Sequence, residues 1–471
     1  MNKKVVYILS LIVLGSLLIF PMRHEQKGAI DDEIKRVTGI ILYKDEDSVI
    51  IEDEDKNIYE FPKDEIDEKE GTGVSVDYKE NTEKNPPKTE ESKPSTPVSP
   101  KPETPSTQKP SNNNSTVIDY TVTDESKIPD AWLDGGIYSA YYTKAYNKLK
   151  TMSLEEKIGQ ILIVRYPTSG ATNIISQYHI GGYVFFERDF KTKTRAQVSD
   201  MISSAQEAAS IPLLTAIDEE GGTVSRISSN PNLTPSPFKS SQELYNQGGM
   251  DAIRADVHNK SAILSGLGLN LNFAPVVDVS TDSSNYIYKR TLGQSTELTS
   301  EYARTVIEAS KGRGVSYTLK HFPGYGSNAD THVGSSVSKK SYEDLMNEDI
   351  PPFKSGIAAG AEAVMVSHNI VEAIDSSNES SISLKAHTLL RNTLGYTGVI
   401  ITDDISMGAM KNISNVGVKA LNAGNDLIIT SDVGTTFSQI KNGMANGSVK
   451  QDTLDRAAFR VIAWKYYKGL L

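Results

Sequence analysis

The chain has 471 residues, more than one average domain of roughly 100 to 200 residues, which predicts more than one folded unit. Its 49 basic and 60 acidic residues give a formal net charge of -11, which argues against a nucleic-acid partner because such a partner requires a basic surface. Cysteine is absent, so disulfides, thiolate metal sites and catalytic thiols are excluded.

The N-terminus carries an apolar segment behind two lysines, Lys3 and Lys4. Residues 5–20 are apolar apart from two serines and one glycine, and a proline and a charged run follow them. A basic start before an apolar stretch is typical of a signal peptide or an N-terminal anchor. We therefore expect residues 1–24 to be one of the two, and the rest of the protein to lie outside the cytoplasm.

Two further segments precede the main globular part. Residues 34–79 alternate short apolar runs with acidic turns, which predicts a small β-rich domain. Residues 80–116 are rich in Pro, Ser, Thr and Lys and have almost no large apolar side chain, so they cannot bury enough surface to offset the entropy of ordering. This composition predicts a disordered, extended linker.

Residues 117–471 alternate strand-like and helix-like segments. Ser153 and Glu156 form a capping-box pattern at the start of the first helix before a strand, and residues 453–467 predict a closing helix. Eight such strand–helix units predict a closed (β/α)8 barrel, an α/β fold, with an open doubly wound sheet as the alternative. The eight apolar runs are 160–164, 182–186, 213–217, 269–274, 316–319, 363–366, 398–402 and 426–430.

Polar residues cluster directly after these runs. In a parallel barrel such positions lie at one mouth, where active sites are built. A single strand-end aspartate is more often a helix cap than a nucleophile, but the clustering of carboxylates and basic side chains favours a site. The sequence has no metal-ligand spacing, dinucleotide fingerprint or phosphate loop, so neither a cofactor nor a metal is expected.

Two segments are specific enough to indicate a family. Residues 320–324 read Lys-His-Phe-Pro-Gly and are followed by Asp330-x-His332, and residues 398–407 read Gly-Val-Ile-Ile-Thr-Asp-Asp-Ile-Ser-Met. From Leu154 to the C-terminus the chain resembles glycoside hydrolase family 3, in its β-N-acetylglucosaminidase branch. Tyr325, Glu219 and Thr223 depart from that branch, which usually has His, Gln and Arg there.

The resemblance implies a role for each matching residue. Asp403 would be the nucleophile of a retaining mechanism, with Asp404 a structural neighbour, and His332 oriented by Asp330 would be the acid/base. An imidazole suits that task because its reference pKa of about 6.5 lets it donate and accept protons near neutrality. The substrate-binding residues implied are Asp218, Arg226, Arg290, Lys320 and His321.

The function expected is exo-hydrolysis of terminal β-linked N-acetylglucosamine from peptidoglycan fragments at the cell wall. Three alternatives stay open: a β-N-acetylglucosaminide phosphorylase, a chitooligosaccharide hydrolase, and a non-catalytic cell-wall-binding protein. The expected partners are a carbohydrate substrate and, through the N-terminal segment, a membrane.

Overall fold

The computed structural model describes residues 127–325 and 336–471, together with the backbone of four strands between residues 34 and 79. The predicted anchor or signal segment at 1–24, the predicted linker at 80–116, and Asp330 and His332 lie outside the described residues. The chain divides into two compact units, residues 1–116 and 117–471.

The described part of the first unit is an antiparallel sheet with the strand order β3-β2-β1-β4. Its register with β4 runs from Ile34 opposite Lys79 to Ile40 opposite Gly73. β-Branched and aromatic side chains, which favour extended backbone, dominate these segments. The strands are β1 (Ile34–Lys44), β2 (Ser48–Asp53), β3 (Ile58–Pro62) and β4 (Gly73–Lys79).

The strands of the second unit follow each other with helices between them. In its described residues they are β5 (Leu162–Arg165), β6 (Gly182–Phe185), β7 (Leu214–Ile217), β8 (Leu271–Asn272), β9 (Ser316–Phe322), β10 (Val337–Ser338), β11 (Ala363–Val366), β12 (Ile370–Val371), β13 (Val399–Thr402) and β14 (Ile428–Thr430).

The helices of this unit differ widely in length. They are α1 (Tyr142–Lys150), α2 (Leu154–Gln160), α3 (Ala171–Tyr178), α4 (Glu187–Phe190), α5 (Arg195–Ala208), α6 (Ser241–Gly266), α7 (Thr296–Ser310), α8 (Tyr342–Asp344), α9 (Ile350–Ala358), α10 (Leu384–Thr388), α11 (Val416–Ala423), α12 (Val433–Asn446) and α13 (Gln451–Tyr467).

Eight of the strands form one parallel sheet in the order β13-β11-β9-β8-β7-β6-β5-β14. A parallel bridge between Ile401 and Leu427 joins the two end strands and closes the sheet. The predicted (β/α)8 barrel is therefore confirmed, and the alternative of an open doubly wound sheet is wrong, because such a sheet keeps two unpaired edges. Strands β10 and β12 pair with each other outside the barrel.

The barrel strands are continuous apolar runs because both of their faces are covered. Every residue of β11 and β13 is buried, the latter reading Val-Ile-Ile-Thr. Helix α2 begins at the predicted capping box, in which Ser153 Oγ accepts from the Glu156 N–H at 3.1 Å and Glu156 Oε2 accepts from the Ser153 N–H at 2.8 Å. Helix α13 confirms the predicted closing helix.

The helices in the described ranges are all too short or too polar to cross a bilayer. The predicted N-terminal segment, residues 1–24, is not among the residues to which that finding applies.

Candidate active site

A cavity of about 740 Å³ opens at the carboxyl ends of the barrel strands. This is the end at which (β/α)8 barrels carry their active sites. The structure brings together in its lining the six described residues that the sequence predicted for the site: Asp218, Arg226, Arg290, Lys320, His321 and Asp403.

Asp403 directly follows β13, and its N–H donates to the Val366 carbonyl at 3.0 Å, which continues the strand ladder into the cavity. Its Oδ1 accepts from the Asp404 N–H at 2.9 Å. Burial opposes ionisation of this carboxyl group and so raises its pKa. The nearby His368 and His321 favour the carboxylate more strongly, so the pKa of Asp403 lies below its usual value. The residue is therefore a carboxylate over most of the pH range.

A network of ion pairs forms one wall of the cavity. Lys320 Nζ donates to Asp218 Oδ1 and to Glu220 Oε1, each at 2.7 Å. Arg290 makes a bidentate pair with Glu220, with Nη2 at 2.7 Å from Oε1 and Nε at 3.0 Å from Oε2. Burial would raise the pKa of Glu220, but Arg290 and Lys320 hold it far below its usual range. The network therefore fixes two cations at the mouth.

His321 is oriented by a buried carboxylate from the neighbouring strand end. Its Nδ1 lies 2.7 Å from Asp278 Oδ2, and the same carboxylate accepts from the N–H groups of His321 at 3.2 Å and Tyr325 at 2.6 Å. Because Asp278 accepts at Nδ1, the hydrogen of the neutral ring belongs there. In that form Nε2 can accept from Arg290 Nη2, which lies 3.2 Å away.

Arg226 lies on the loop after β7, and a buried glutamate holds the backbone of that loop. Glu219 Oε2 accepts from the N–H groups of Arg226 at 2.8 Å and Ile227 at 2.7 Å. The Arg226 guanidinium packs over the Phe186 ring, 5.5 Å from its centroid, and its Nη2 is 3.8 Å from Asp218 Oδ2. Glu219 thus positions the loop, while Arg226 faces the cavity.

Asp404 and His368 stabilise the strand ends. Asp404 Oδ1 accepts from the Ser406 N–H at 2.9 Å and Oδ2 from the Ser431 hydroxyl at 2.7 Å. His368 is buried, with Nδ1 at 2.7 Å from Ser381 Oγ and Nε2 at 2.9 Å from the Asp404 carbonyl. These bonds fit the structural role expected for Asp404.

Two carboxylates of the site, Glu220 and Asp278, are not among the predicted site residues. Both belong to polar segments that follow strands β7 and β8. This position after a strand is the sequence feature from which they could have been predicted. Glu220 stands beside Gly221 and Gly222, a pattern that equally indicates a turn. The partners Arg290 and Lys320 are 70 and 100 positions away, so only the fold shows the contacts.

Comparison with known proteins gives concordant matches. The glycosyl hydrolase family 3 N-terminal domain matches residues 153–464. A β-hexosaminidase of Xylella fastidiosa (strain M23) is 34% identical over 257 residues, which is 53% of this chain and 76% of that protein.

Two solved structures are similar in fold and in sequence. A glycoside hydrolase family 3 β-N-acetylglucosaminidase of Paenibacillus sp. str. FPU-7 has a TM-score of 0.64 and 28% identity; the match covers 68% of this chain and 63% of that chain. A β-N-acetylhexosaminidase of Beutenbergia cavernae DSM 12333 has a TM-score of 0.59 and 26% identity, over 67% of this chain and 99% of that chain.

Proposed function

The chain belongs to glycosyl hydrolase family 3 and is therefore a glycoside hydrolase, and on that basis we propose that it is a retaining exo-β-N-acetylglucosaminidase that acts on peptidoglycan fragments. The family predicted from the two motifs is confirmed. The observation that carries the proposal is the convergence of Asp403 with five predicted sugar-binding side chains in one cavity.

The proposed nucleophile is Asp403. In the first step its carboxylate attacks the anomeric carbon, the bond to the leaving oxygen breaks, and a covalent glycosyl-enzyme forms. In the second step water displaces the carboxylate, and the product keeps the original anomeric configuration. The lowered pKa of Asp403 supports this role, because only the ionised form is nucleophilic.

The proposed acid/base is His332, with Asp330 as its orienting partner. His332 would protonate the leaving oxygen in the first step and take a proton from water in the second. The support for this pair is the motif spacing alone.

Substrate binding is proposed for the ion-pair wall and for the side chains beside it. Asp218 and Lys320 present an acceptor and a donor within 2.7 Å of each other, and such a pair suits neighbouring sugar hydroxyls. Arg290 and His321 extend the wall. The relatives named β-hexosaminidase and β-N-acetylglucosaminidase support an acetamido sugar as the substrate.

We place the activity outside the cytoplasm, at the cell wall. The support is the sequence before the barrel: an apolar segment behind two lysines, and a Pro/Ser/Thr-rich linker at 80–116. An extended linker reaches about 3 Å per residue, enough to let an anchored barrel enter the wall.

The test is hydrolysis of p-nitrophenyl β-N-acetylglucosaminide and β-glucoside by the full chain, with the first-formed anomer followed by NMR. We expect selective turnover of the acetamido substrate, a β-anomer as first product, and loss of turnover in Asp403→Asn. His332→Ala should lower kcat by roughly 10² to 10⁴-fold, the range for loss of a general acid/base.

Three results would contradict the proposal. An α-anomer as first product excludes retention, and a sugar 1-phosphate formed only with added phosphate assigns phosphorolysis. Absence of turnover by folded wild type on both aryl glycosides and on peptidoglycan fragments favours a wall-binding protein.

A further inference from the structure

A second cavity, of about 510 Å³, lies on the outer layer of the barrel between helices α3, α11 and α12. None of its described lining residues carries a charge, although charged residues make up 23% of the chain. The lining consists of amide and hydroxyl side chains, two glycines, a valine and a tyrosine. This surface is therefore polar without being ionic.

Most of the polar groups come from one face of helix α12. They are spaced by three, four and four positions, which places them in one row along the helix. The row consists of Thr435, Ser438, Asn442 and Asn446, all of them exposed. At 1.5 Å per residue the row is about 17 Å long. Lys441 of the same helix lies outside the lining and pairs with a glutamate of helix α2.

The row keeps hydrogen-bonding capacity that the fold does not use. Within the part of the chain that the structure describes, the side chains of Ser438 and Asn442 bond to no other protein group. Beside the row, Gln439 Oε1 accepts from the Gly417 N–H at 3.0 Å. Because this bond engages the amide oxygen, the amide nitrogen of Gln439 is left as a donor.

An aromatic ring and two glycines shape the cavity. The Tyr178 ring packs edge to face on Phe437, with the centroids 5.3 Å apart, and so is held in place. A Cβ on Gly434 would lie 3.3 Å from the Tyr178 hydroxyl, and one on Gly443 would lie 3.1 Å from Val418 Cγ2. The two glycines thus let α12 approach α3 and α11 closely, and Tyr178 adds an apolar surface with a polar tip.

The second cavity begins close to the catalytic one. Ser431 lines the catalytic cavity, and Thr435, four positions later, lines the second. An extended chain advances at most about 3.6 Å per residue, so these two residues are no more than about 14 Å apart. Because α12 follows β14 and runs back along the barrel, the row leads from the mouth along the outer surface.

We propose that this cavity is a second saccharide-binding site, which holds an uncharged stretch of a β-linked N-acetylglucosamine chain beside the catalytic cavity. Neutral sugars present hydroxyl and acetamido groups, which amide and hydroxyl side chains match as donors and acceptors. A charged side chain would lose its water against such a ligand without gaining a partner. The row of about 17 Å has room for a short oligosaccharide. The inference takes the identity of the sugar from the proposed function and adds a second place of binding.

The test is isothermal titration calorimetry of chitohexaose with the full chain carrying Asp403→Asn, which prevents cleavage. Excess N-acetylglucosamine occupies the catalytic cavity, so the remaining binding reports on the second site. Asn442→Asp keeps the size of the side chain and puts a charge into the row, so we expect the Kd of this site to rise about tenfold. Asn442→Ala removes the hydrogen bonds without adding a charge and should raise the Kd less.

A matched variant and a salt series separate local binding from general effects. Asn259→Asp makes the same replacement at an exposed position of helix α6, outside the cavity, and should leave the Kd unchanged. Because the ligand is uncharged, raising the salt concentration from about 0.1 M to about 1 M should change the Kd little. Sedimentation with insoluble chitin and with peptidoglycan sacculi then identifies the polymer, by which of the two loses the Asn442→Asp protein.

Equal Kd values in Asn442→Asp and Asn259→Asp would overturn the inference, as would binding that disappears once N-acetylglucosamine fills the catalytic cavity. Should Asn442→Asp lower the melting temperature, Asn442→Ala decides, and an unchanged Kd in that variant overturns the inference too. Absence of aryl glycoside turnover by wild type contradicts the proposed function, whereas turnover without a second binding event contradicts only this inference.

Discussion

At the scale of single residues, the environment of Asp403 decides its protonation. Burial favours the neutral acid, while His368 and His321 favour the carboxylate, and the balance lowers the pKa below its usual value. Asp403, the proposed nucleophile, therefore loses its charge only when the pH falls through this lowered pKa.

The first prediction concerns the acid limb of the pH profile. For p-nitrophenyl β-N-acetylglucosaminide we expect kcat/KM to keep its plateau down to below about pH 4, since the reference pKa of aspartate is about 3.9. His321→Gln removes one of the groups that lower the pKa and should shift the limb upward. An acid limb above about pH 5 that does not move in His321→Gln would contradict this account.

The second prediction concerns Glu220. Glu220→Gln leaves Arg290 and Lys320 without their shared carboxylate in a buried place. Breaking a buried pair in this way is unfavourable by about 3 to 5 kcal/mol, so we expect a lower melting temperature and a kcat/KM reduced by about 100-fold or more. Glu187→Gln, at an exposed position, is the control. Wild-type values for both measurements in Glu220→Gln would show that the network is dispensable.

At the scale of elements, helix α2 packs closely against the backbone at the end of helix α3, just before strand β6. A Cβ on Gly159 would lie 2.0 Å from the Tyr178 carbonyl oxygen and 2.4 Å from that of His179. These are backbone atoms, so a larger residue forces the helix away from the segment that leads into β6. The end of α2 therefore requires a glycine for space rather than for its conformational freedom.

The third prediction compares two helical glycines. Gly159→Ala should lower the free energy of unfolding by about 1 to 3 kcal/mol through overpacking. Gly266→Ala, in helix α6, meets nothing within 4 Å and should be neutral or stabilising by up to about 1 kcal/mol. Chemical denaturation measures both. Equal effects of the two substitutions would contradict the steric explanation.

At the scale of the whole molecule, helix α13 closes the end of the barrel opposite the cavity. Lys465 of this helix is completely buried, and its Nζ donates to Gln160 Oε1 at 2.7 Å and to the Gly181 carbonyl at 2.9 Å. Burial lowers the pKa of Lys465 to about 7. The Lys465 amine is therefore less readily protonated in the folded protein than in the unfolded chain.

The fourth prediction follows from that difference. Between about pH 7 and about pH 10 the unfolded chain carries the proton and the folded state does not, so this group makes stability rise with pH. Lys465→Met removes the dependence. The unfolding free energy of Lys465→Met minus that of wild type should therefore be larger at about pH 6 than at about pH 9, measured by urea denaturation. A difference that is constant or rises with pH would contradict the assignment.

Much of the fold follows from local sequence. Both faces of a parallel strand are covered, so each strand is a short continuous apolar run, and all eight barrel strands could be predicted on that basis. The capping pattern at Ser153 predicts where helix α2 begins, because the two residues that cap it are three positions apart. The position of Asp403 at a strand end follows in the same way.

Contacts between distant segments could not be predicted from the sequence. Glu220 joins Lys320 and Arg290, and Arg165 and Arg226 share the ring of Phe186, only because barrel closure brings separate strand ends to one mouth. The sequence by itself determined the barrel and the family, and it predicted six residues that line one cavity, since these depend on local pattern and motif. The tertiary structure alone decided which charges are paired with each other, because the distance between side chains far apart in sequence depends on the closed sheet.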